Sequence, residues 1–244
     1  MDEQLINVGK STKLWAQANE IPCQFLEECK STSDWAKEAY QIHHELEIFI
    51  SNHQTHGRGR GNNEWIDNNK GKNLLSTWCF QVSQPPQPIT SPLIGLAVYG
   101  AARTTWPSLD WSLKAPNDLY LGDKKAAGIL LESVSRGSMH QVFIGFGMNV
   151  LAQPENIPHS TFLTSELGTG NDISTFKWDE FLSQLIGHFN HALNMCTKSL
   201  LSEEAREGLV RALNRNPIRP GLILEISPEG DLVLEKETIP WQTL

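Results

Sequence analysis

Residues 110–134 contain the feature that most restricts how this chain can fold. The segment DWSLKAPNDLYLGDKKAAGILLESV separates three short apolar runs by a Pro-Asn-Asp turn signal and a Gly-Asp turn signal. Such spacing predicts antiparallel strands joined by hairpins. HQVFIGFGMNV at 140–150 predicts one further strand, in which Gly145 and Gly147 leave room for a close approach to the backbone. The block therefore predicts a meander of antiparallel strands.

Segments on both sides of this meander alternate helix and strand patterns. Apolar residues at helical spacing after Ser, Thr or Pro predict helices at 31–45, at 92–104 with Pro92 in the first position, after a cap at Ser174 or Thr175, and at 202–213. The remaining predicted strands are LEIFIS at 46–51, NLLSTWCFQV at 73–82 and two short strands around SPEG near the C-terminus. Together these elements indicate an α+β fold.

Composition excludes several classes of function. With 20 Lys and Arg against 28 Asp and Glu, the formal net charge of the 244 residues is −8, which disfavours a non-specific electrostatic grip on nucleic acid. No apolar run approaches the about 20 residues of a membrane span, and the N-terminus lacks a secretory leader pattern. The four cysteines form no CxxC pair. We therefore expect a cytoplasmic protein with reduced, packed thiols.

The segment NHQTHGRGRGNNEWI at 52–66 points to a particular chemistry, because two arginines alternate with three glycines. Exposed backbone N–H groups and forked guanidinium groups both bind phosphate or carboxylate oxygens. The segment lacks the Gly-Lys-Ser/Thr ending of a Walker A loop and the GxGxxG dinucleotide fingerprint. It predicts either a charged-oxygen site of another kind or a flexible, solvated loop.

The residues around this segment suggest a mobile loop without a metal. NNEWIDNNKGK at 62–72 is rich in Asn, Gly and Lys, so we expect it to be a mobile surface loop. His53 and His56 lie in a segment without an acidic partner at ligand spacing, so no metal site is predicted there.

Four motifs occur in the order and approximate spacing of the catalytic domain of biotin protein ligases. They are HQTHGRGRGNNEW at 53–65, KAPND at 114–118, KKAAGILLE at 124–132 and GFGMNV at 145–150. The chain from about Phe25 to Leu213 resembles that domain. The resemblance implies a mixed sheet with packed helices, like that of class II aminoacyl-tRNA synthetases. The corresponding domains are an N-terminal extension at 1–24, a catalytic domain at 25–216 and a truncated C-terminal β-subdomain at 217–244.

The resemblance also implies a two-step reaction. Biotin and MgATP form biotinyl-5′-AMP, and a lysine of a biotin carboxyl carrier protein domain then attacks this intermediate. Because a carboxylate must approach an anionic phosphate, cations are needed where charge develops. Arg58, Arg60 and Lys114 are the candidate catalytic cations. We expect the loop at 57–72 to order when ligand binds.

The resemblance assigns the remaining site residues position by position. The implied biotin contacts are Ser31, Thr32, Ser33, Gln54, Gly57, Arg58, Gly59, Arg60, Lys114, Gly128, Ile129 and Leu130. The implied ATP or adenylate contacts are Arg58, Arg60, Trp65, Lys114 and Asn149. No metal ligand is assigned, although Asp118 is a candidate for Mg²⁺.

Each assignment has a structural alternative. Ser31 and Thr32 could serve only to cap a helix, and Trp65 could anchor a loop. Ile129 and Leu130 would be buried in any sheet. Asp118, with the preceding Asn, most often shapes a turn.

Several positions depart from the family pattern. Asn62, Asn63 and Glu64 stand where relatives place basic residues, Ala115 stands where relatives have Trp, and Lys30 stands where an Asp often occurs. The C-terminal region is too short for the family's SH3-like barrel. The stretch before Phe25 is too short for a winged helix-turn-helix, so no DNA binding is expected. Dimers are frequent in the family, which makes a homodimer one implied assembly.

Two rival functions use the same fold. One is transfer of lipoate or octanoate, against which the GRGRG and KKAAGILLE segments favour biotin. The other is a biotin or biotinyl-AMP binding protein without efficient ligation, which the departures at Asn62, Asn63 and Ala115 would suit.

Overall fold

The computed structural model describes residues 4–40, 44–155, 157–168, 173–215 and 221–244. The chain forms two compact units, each made of separated segments. The first unit contains Met1–Pro85 and Ala126–Leu182, and the second contains Pro86–Lys125 and Ser183–Leu244. The domain bounds inferred from sequence stay predictions, and the boundary near residue 216 lies outside the described residues.

Helices and runs of consecutive strands both occur along the chain, as the α+β prediction requires. The helices are α1 (Val8–Ala18), α2 (Thr32–Ala39), α3 (Thr90–Thr105), α4 (Leu163–Glu166), α5 (Thr175–Met195) and α6 (Glu203–Asn214). The strands are β1 (Cys23–Leu26), β2 (Leu46–Ser51), β3 (Gly57–Arg58), β4 (Glu64–Trp65), β5 (Asn73–Val82), β6 (Trp111–Lys114), β7 (Asp118–Leu121), β8 (Lys124–Arg136), β9 (Met139–Asn149), β10 (Glu225–Ile226), β11 (Leu232–Val233) and β12 (Thr238–Ile239). A 3-10 turn at Trp241–Thr243 follows.

The first unit is built on a mixed sheet in which the strands lie in the order β1-β2-β5-β9-β8. Strand β1 is parallel to β2, and the other three pairs are antiparallel. The β5–β9 ladder is the longest and pairs Asn73 with Asn149 and Val82 with His140. The predicted strands at 46–51, 73–82 and 140–150 are confirmed. Their sequences are apolar almost throughout because both faces of the sheet are covered.

Helices cover both faces of this sheet, since successive strand residues point to opposite sides. On one face Trp78 of β5 packs against Trp15 of α1, with ring centroids 6.0 Å apart. On the other face Cys79 forms a buried cluster with Ala36 of α2, Phe49 and neighbouring apolar residues. The second of these faces, called the α2 face below, carries the candidate site.

The N-terminal segment is an integral part of the first unit, which the sequence pattern did not predict. Helix α1 begins at an Asn7 cap and buries Val8, Trp15 and Ala16. Trp178 of α5 donates its indole N–H to the Thr12 hydroxyl at 3.0 Å. Strand β1 was also missed, because CQFL is too short to show a period.

The second unit contains the predicted β6–β7 hairpin, whose register pairs Trp111 with Leu121 and Lys114 with Asp118. Helix α3 begins at Thr90, two residues before the predicted Pro92. Helix α6 is capped by Ser202, as its Ser-Glu-Glu start indicates. After the gap at 216–220, strands β10, β11 and β12 form a small antiparallel sheet, so the prediction of two strands was one strand short.

The predicted helix at 31–45 is shorter than its pattern. Helix α2 ends at Ala39, and residues 41–43 lie outside the described part of the chain. Helix α5 starts where predicted, with the Ser174 hydroxyl accepting a hydrogen bond from the Lys177 N–H at 3.2 Å.

Each of the four cysteines is a free thiol, as predicted. Burial raises the pKa of all four thiols, which keeps them protonated near neutral pH. No helix in the described ranges combines the length and the apolar character that crossing a bilayer requires.

Candidate ligand site on the α2 face

A cluster of buried polar side chains lies where α2 begins. Gln54 accepts hydrogen bonds at its Oε1 from the Thr32 N–H at 2.6 Å and from the Thr32 hydroxyl at 3.0 Å. Thr77 of β5 lies 3.0 Å from the Thr32 hydroxyl and 3.2 Å from the Ser33 hydroxyl. Thr32, Ser33 and Gln54, three of the residues predicted to contact biotin, are therefore brought together. Their hydroxyl and amide groups suit the polar ureido ring of biotin.

Ser31 fulfils the alternative assigned to it, because its hydroxyl accepts a hydrogen bond from the Asp34 N–H at 3.4 Å and caps α2. Capping uses one lone pair of the hydroxyl, and a ligand contact would use another donor or acceptor position of the same group. The cap reading is thus confirmed, and a ligand contact by Ser31 stays a prediction.

Two glycines of β9 let other groups approach the α2 face closely. A Cβ added at Gly145 would lie 2.7 Å from the Ser33 hydroxyl oxygen and 3.2 Å from Cβ of Leu130. A Cβ added at Gly147 would lie 2.7–2.9 Å from three ring atoms of Trp65. The close approach predicted from these glycines is confirmed, and the groups that approach are Ser33 and the Trp65 indole.

The glycine-arginine segment forms a small hairpin rather than an unstructured loop. Strand β3 pairs antiparallel with β4, placing Gly57 opposite Trp65 and Arg58 opposite Glu64. A Cβ at Gly57 would clash with the Trp65 carbonyl oxygen, so only glycine fits there. Gly59 closes the turn by donating its N–H to the Asn63 carbonyl at 2.8 Å.

The end of this loop is fixed by a buried carboxylate. The Asp67 side chain is fully buried and accepts a hydrogen bond from the His53 ring nitrogen Nδ1 at 2.8 Å. Asn73 donates to its other oxygen at 3.3 Å. The expectation that 62–72 is too polar to enter the core was wrong at Asp67, because these partners satisfy the carboxylate.

Arg58 is held by carboxylates from two other elements. Its guanidinium donates to Glu132 of β8 through two nitrogens, at 3.0 and 3.1 Å, and to Asp34 of α2 at 2.8 Å. Partial burial acts to lower the pKa of Arg58, but hydrogen bonding and charge from Glu132 and then Asp34 outweigh it, so the pKa is raised. The predicted phosphate contact of Arg58, like that of Arg60, stays a prediction.

The three predicted residues of β8 do not all point to the same place. Gly128 and Leu130 pair with Gly147 and Gly145, so they share the α2 face with the polar cluster. Ile129 pairs with Phe146 and therefore points to the opposite face, where it is buried. Only the backbone of Ile129 can contribute to the α2 face.

Asn149 ends β9 as a buried amide. Its Nδ2 donates to the Thr161 carbonyl at 3.0 Å, and its Oδ1 has no hydrogen-bond partner among the described residues. A buried acceptor without a partner is costly unless a ligand or water satisfies it. This geometry supports the prediction that Asn149 contacts a ligand.

Lys114 ends β6 in the second unit. Its Nζ donates to the Tyr120 hydroxyl at 3.2 Å and lies 5.4 Å from the centre of that ring. The neighbouring Asp118 is paired with Lys125, with 2.6 Å between Nζ and Oδ1. A magnesium ion at Asp118 would have to displace this ammonium. Among the described residues, no group of three or more His, Cys, Asp or Glu side chains is arranged to hold a metal ion.

A separate cleft of about 400 Å³ lies in the second unit between α6 and β10. It is lined by Glu203, Arg206, Glu207, Val210, Arg211, Leu224, Glu225 and Ile226. None of the predicted site residues lines this cleft, so it is not the predicted ligand site.

The sequence reasoning missed four residues of the α2 face and its loop. Thr77 is a polar residue inside a predicted buried strand, and that conflict was a usable signal. Asp34 and Glu132 gave no signal, because their partner Arg58 lies 24 and 74 residues away. Asp67 gave none, because it lies in the segment at 62–72 that was assigned to the surface.

Several known proteins are similar to this chain in sequence. A sequence model of the Biotin/lipoate A/B protein ligase family matches residues 25–149. The bifunctional ligase/repressor BirA of Escherichia coli is 29% identical over 210 residues, which are 79% of this chain and 63% of that protein. The biotin–[acetyl-CoA-carboxylase] ligase of Mycobacterium tuberculosis is 35% identical over 121 residues, or 48% of this chain and 44% of that protein. The chain thus spans less than two thirds of these relatives.

The fold is also found among solved structures. A biotin protein ligase from Aquifex aeolicus in complex with biotin and ATP superposes with a TM-score of 0.65 and 23% identity, covering 90% of this chain and 95% of that one. The predicted fold class, a mixed sheet with packed helices of the biotin protein ligase type, is confirmed. The chain belongs to the biotin/lipoate A/B protein ligase family.

Proposed function

We propose that this protein is a biotin protein ligase that joins biotin to a lysine of a biotin carboxyl carrier protein domain through biotinyl-5′-AMP. The observation that carries the proposal is the buried cluster of Thr32, Ser33, Gln54 and Thr77, in which Gln54 borders Gly57 of the glycine-arginine hairpin. The hydroxyl and amide groups suit a ureido ring, and the hairpin suits the charged end of an activated acid.

In the first step, a carboxylate oxygen of biotin attacks the α-phosphorus of ATP, and the bond to the β-phosphate oxygen breaks to release pyrophosphate. In the second step, a lysine amine attacks the acyl carbon, the bond to the phosphate oxygen breaks, and the amine loses its proton as AMP departs. No side-chain nucleophile is required, so positioning and charge stabilisation supply the catalysis. Arg60 and Lys114 are the cations proposed for the phosphate, Lys114 on the strength of its motif.

The hairpin is suited to excluding water from the mixed anhydride. Trp65 lies against Gly147, and Arg58 is tied to Glu132, so both strands of the hairpin are fastened to the α2 face. Exclusion of water protects the intermediate until the amine arrives. We propose that bound ligand orders the loop at 57–72 further, by stabilising the hairpin in this position.

Further parts of the proposal concern the protein's surroundings. Mg²⁺ enters with the ATP phosphates as part of the substrate. The net charge of −8 supports action without DNA, and the free thiols support a cytoplasmic location. Self-association as a homodimer is proposed from the family resemblance.

A second candidate is a protein that binds biotin or biotinyl-AMP without efficient ligation. The pairing of Arg58 with two carboxylates favours it, since this cation has less charge to offer a phosphate. Biotin-dependent exchange of pyrophosphate into ATP separates the two, with lipoate and octanoate as control acids. Exchange with biotin supports the ligase, binding without exchange supports the binder, and exchange with an eight-carbon acid alone would overturn the biotin assignment.

The variant Lys114→Ala tests the charge-stabilising step. We expect it to keep most of its biotin affinity and to lose adenylation by about 10²-fold or more, because the ammonium acts where charge develops. Lys124→Ala, which removes an exposed lysine of β8, is the matched control and should leave both quantities unchanged. An unaltered exchange rate in Lys114→Ala would remove Lys114 from the mechanism.

A further inference from the structure

We infer that Arg58 is a positioning residue, which Glu132 and Asp34 hold so that the glycine-arginine hairpin stays on the α2 face, rather than a cation that contacts the adenylate phosphate. This inference deepens the proposed function and rests on it for the ligand. It distinguishes the two arginines of GRGRG, which the sequence motif alone treats as equivalent.

The first support is charge balance. Arg58 and Lys37 supply two positive charges, and Asp34 and Glu132 supply two negative charges in the same network. Lys37 contacts both carboxylates, at 3.3 Å to Asp34 and 3.0 Å to Glu132. A phosphate that approached Arg58 would meet a neutral cluster with two carboxylates in direct contact with the guanidinium. Electrostatic stabilisation of a developing oxyanion requires the opposite arrangement.

The second support is the geometry of the Glu132 contact. Two guanidinium nitrogens of Arg58 donate to the two carboxylate oxygens of Glu132 at 3.0 and 3.1 Å. Such forked pairs fix orientation as well as distance, and Glu132 is only 22% exposed at its side chain. The pair joins the hairpin to β8, and Asp34 joins it to α2, so three elements meet at one side chain.

The third support is a matching contact on the other strand of the hairpin. Arg58 belongs to β3, whereas Trp65 belongs to β4 and lies over Gly147 of β9. One strand is therefore fastened by an ion pair and the other by an aromatic ring. With both contacts in place, the hairpin is held above the polar cluster of Thr32, Gln54 and Thr77.

Dissociation of biotinyl-AMP from purified protein tests this role through a double-mutant cycle. We expect Glu132→Ala to speed dissociation roughly fivefold, and Arg58→Ala to speed it at least as much because this change also removes the Asp34 contact. The double variant should be no faster than Arg58→Ala, because both changes remove the Arg58–Glu132 pair. A direct phosphate contact by Arg58 predicts otherwise: Glu132→Ala would free the cation and slow dissociation, and the Arg58→Ala effect would persist in full in the double variant. That outcome would overturn the inference.

The charge swap Arg58→Glu with Glu132→Arg provides a stricter test. The swap is made in an Asp34→Asn, Lys37→Gln background, because a glutamate at position 58 would otherwise lie beside Asp34 and an arginine at position 132 beside Lys37. We expect the swap to restore the dissociation rate to within about twofold of that background protein, although Arg58→Glu alone in the same background should be among the fastest. A glutamate that replaced a phosphate-binding arginine could not be rescued in this way, so absence of rescue would contradict the positioning role.

Hydrogen exchange of the backbone amides at 57–66 without any ligand keeps this test separate from the proposed function. Glu132→Ala should raise exchange of the hairpin, Arg58→Ala should raise it at least as much, and the swap should restore protection to the level of its own background protein. Arg211→Ala, which breaks the exposed Arg211–Glu207 pair of α6, is the control and should leave the hairpin unchanged. If wild type forms no biotinyl-AMP, the ligase proposal fails while hairpin exchange still decides the role of Arg58. Unchanged exchange in Arg58→Ala would overturn it.

Discussion

Single atoms determine the shape of the α2 face. Gly145 and Gly147 face Ser33 and Trp65 at distances where a methyl group would not fit. Glycine is needed at these two positions because side chains pack directly against the backbone, and not because of the backbone conformation, which any residue could adopt. The sequence predicted that something approaches these glycines, and tertiary structure supplied which groups do so.

The variant Gly147→Ala tests this packing. The added Cβ would meet Trp65 ring atoms at 2.7–2.9 Å, so we expect the indole to be displaced, with a loss of about 1–3 kcal/mol in the free energy of unfolding. Urea denaturation measures that loss. Gly187→Ala on α5, where nothing lies within 4 Å, should instead be neutral or gain up to about 1 kcal/mol. Equal stability of the two variants would contradict the packing argument.

At the scale of secondary-structure elements, the N-terminal caps of two helices can be compared, because one of them also belongs to the candidate site. Ser31 caps α2 and Ser202 caps α6, with hydroxyl to N–H distances of 3.4 and 3.3 Å. Both caps were visible in sequence, since Ser before an amphipathic segment satisfies backbone N–H groups that lack helical partners. Sequence reasoning left open whether Ser31 does more than cap its helix.

Replacing each cap by alanine separates the two roles of Ser31. We expect Ser31→Ala and Ser202→Ala each to lower the free energy of unfolding by about 1 kcal/mol. Ser31→Ala should in addition weaken biotin binding by up to about tenfold, since a ligand hydrogen bond is lost, while Ser202→Ala binds normally. Calorimetric titration with biotin measures the difference. Identical biotin affinities of the two variants would show that Ser31 serves only to cap its helix.

Helix α1 shows how an element can be essential and yet escape prediction. Its tryptophan at position 15 is 4% exposed and packs on Trp78, which is fully buried. The apolar residues of VGKSTKLWAQA are too few for a convincing helical period, so only the sheet beneath them shows what they bury.

The variant Trp15→Ala should therefore be strongly destabilising. We expect a loss of about 3–5 kcal/mol in the free energy of unfolding, because a large cavity opens beside Trp78. Leu14→Ala removes a neighbouring side chain that is 64% exposed and should change stability by less than about 0.5 kcal/mol. Chemical denaturation of both variants measures this difference. If the N-terminal segment were dispensable, the two variants would be equally stable.

At the scale of the whole protein, stability against unfolding depends on pH, because a partly buried histidine favours its neutral form in the folded state. Burial and then the charge of His191 lower the pKa of His188 below its usual 6.5. The unfolded chain then binds a proton more readily than the native protein does. This contribution to stability is present above pH 6.5 and is lost as pH falls from there towards the native pKa.

We expect the free energy of unfolding to fall as the pH is lowered through 6.5, and the variant His188→Gln to reduce that slope. Urea denaturation at a series of pH values measures both slopes. A slope that is the same in the variant would show that other groups govern stability in this range.

The elements that local physics encodes could be predicted from the sequence. Strands β2, β5 and β9, the β6–β7 hairpin and the caps of α2 and α6 follow from apolar period, turn residues and capping side chains, which act within a few positions. The four ordered motifs likewise indicated the family, because their residue types and spacing are visible in one dimension. The resemblance also pointed to Thr32, Ser33 and Gln54 of the polar cluster, but not to Thr77.

Which side chains meet depends instead on the tertiary structure. The pairing of Arg58 with Glu132 spans 74 positions, the face of Ile129 depends on strand register, and the burial of Asp67 depends on His53 and Asn73. The two compact units also interleave along the chain, so contiguous composition does not reveal them. Such contacts depend on chain topology, whereas local sequence patterns report only the preferences of neighbouring residues.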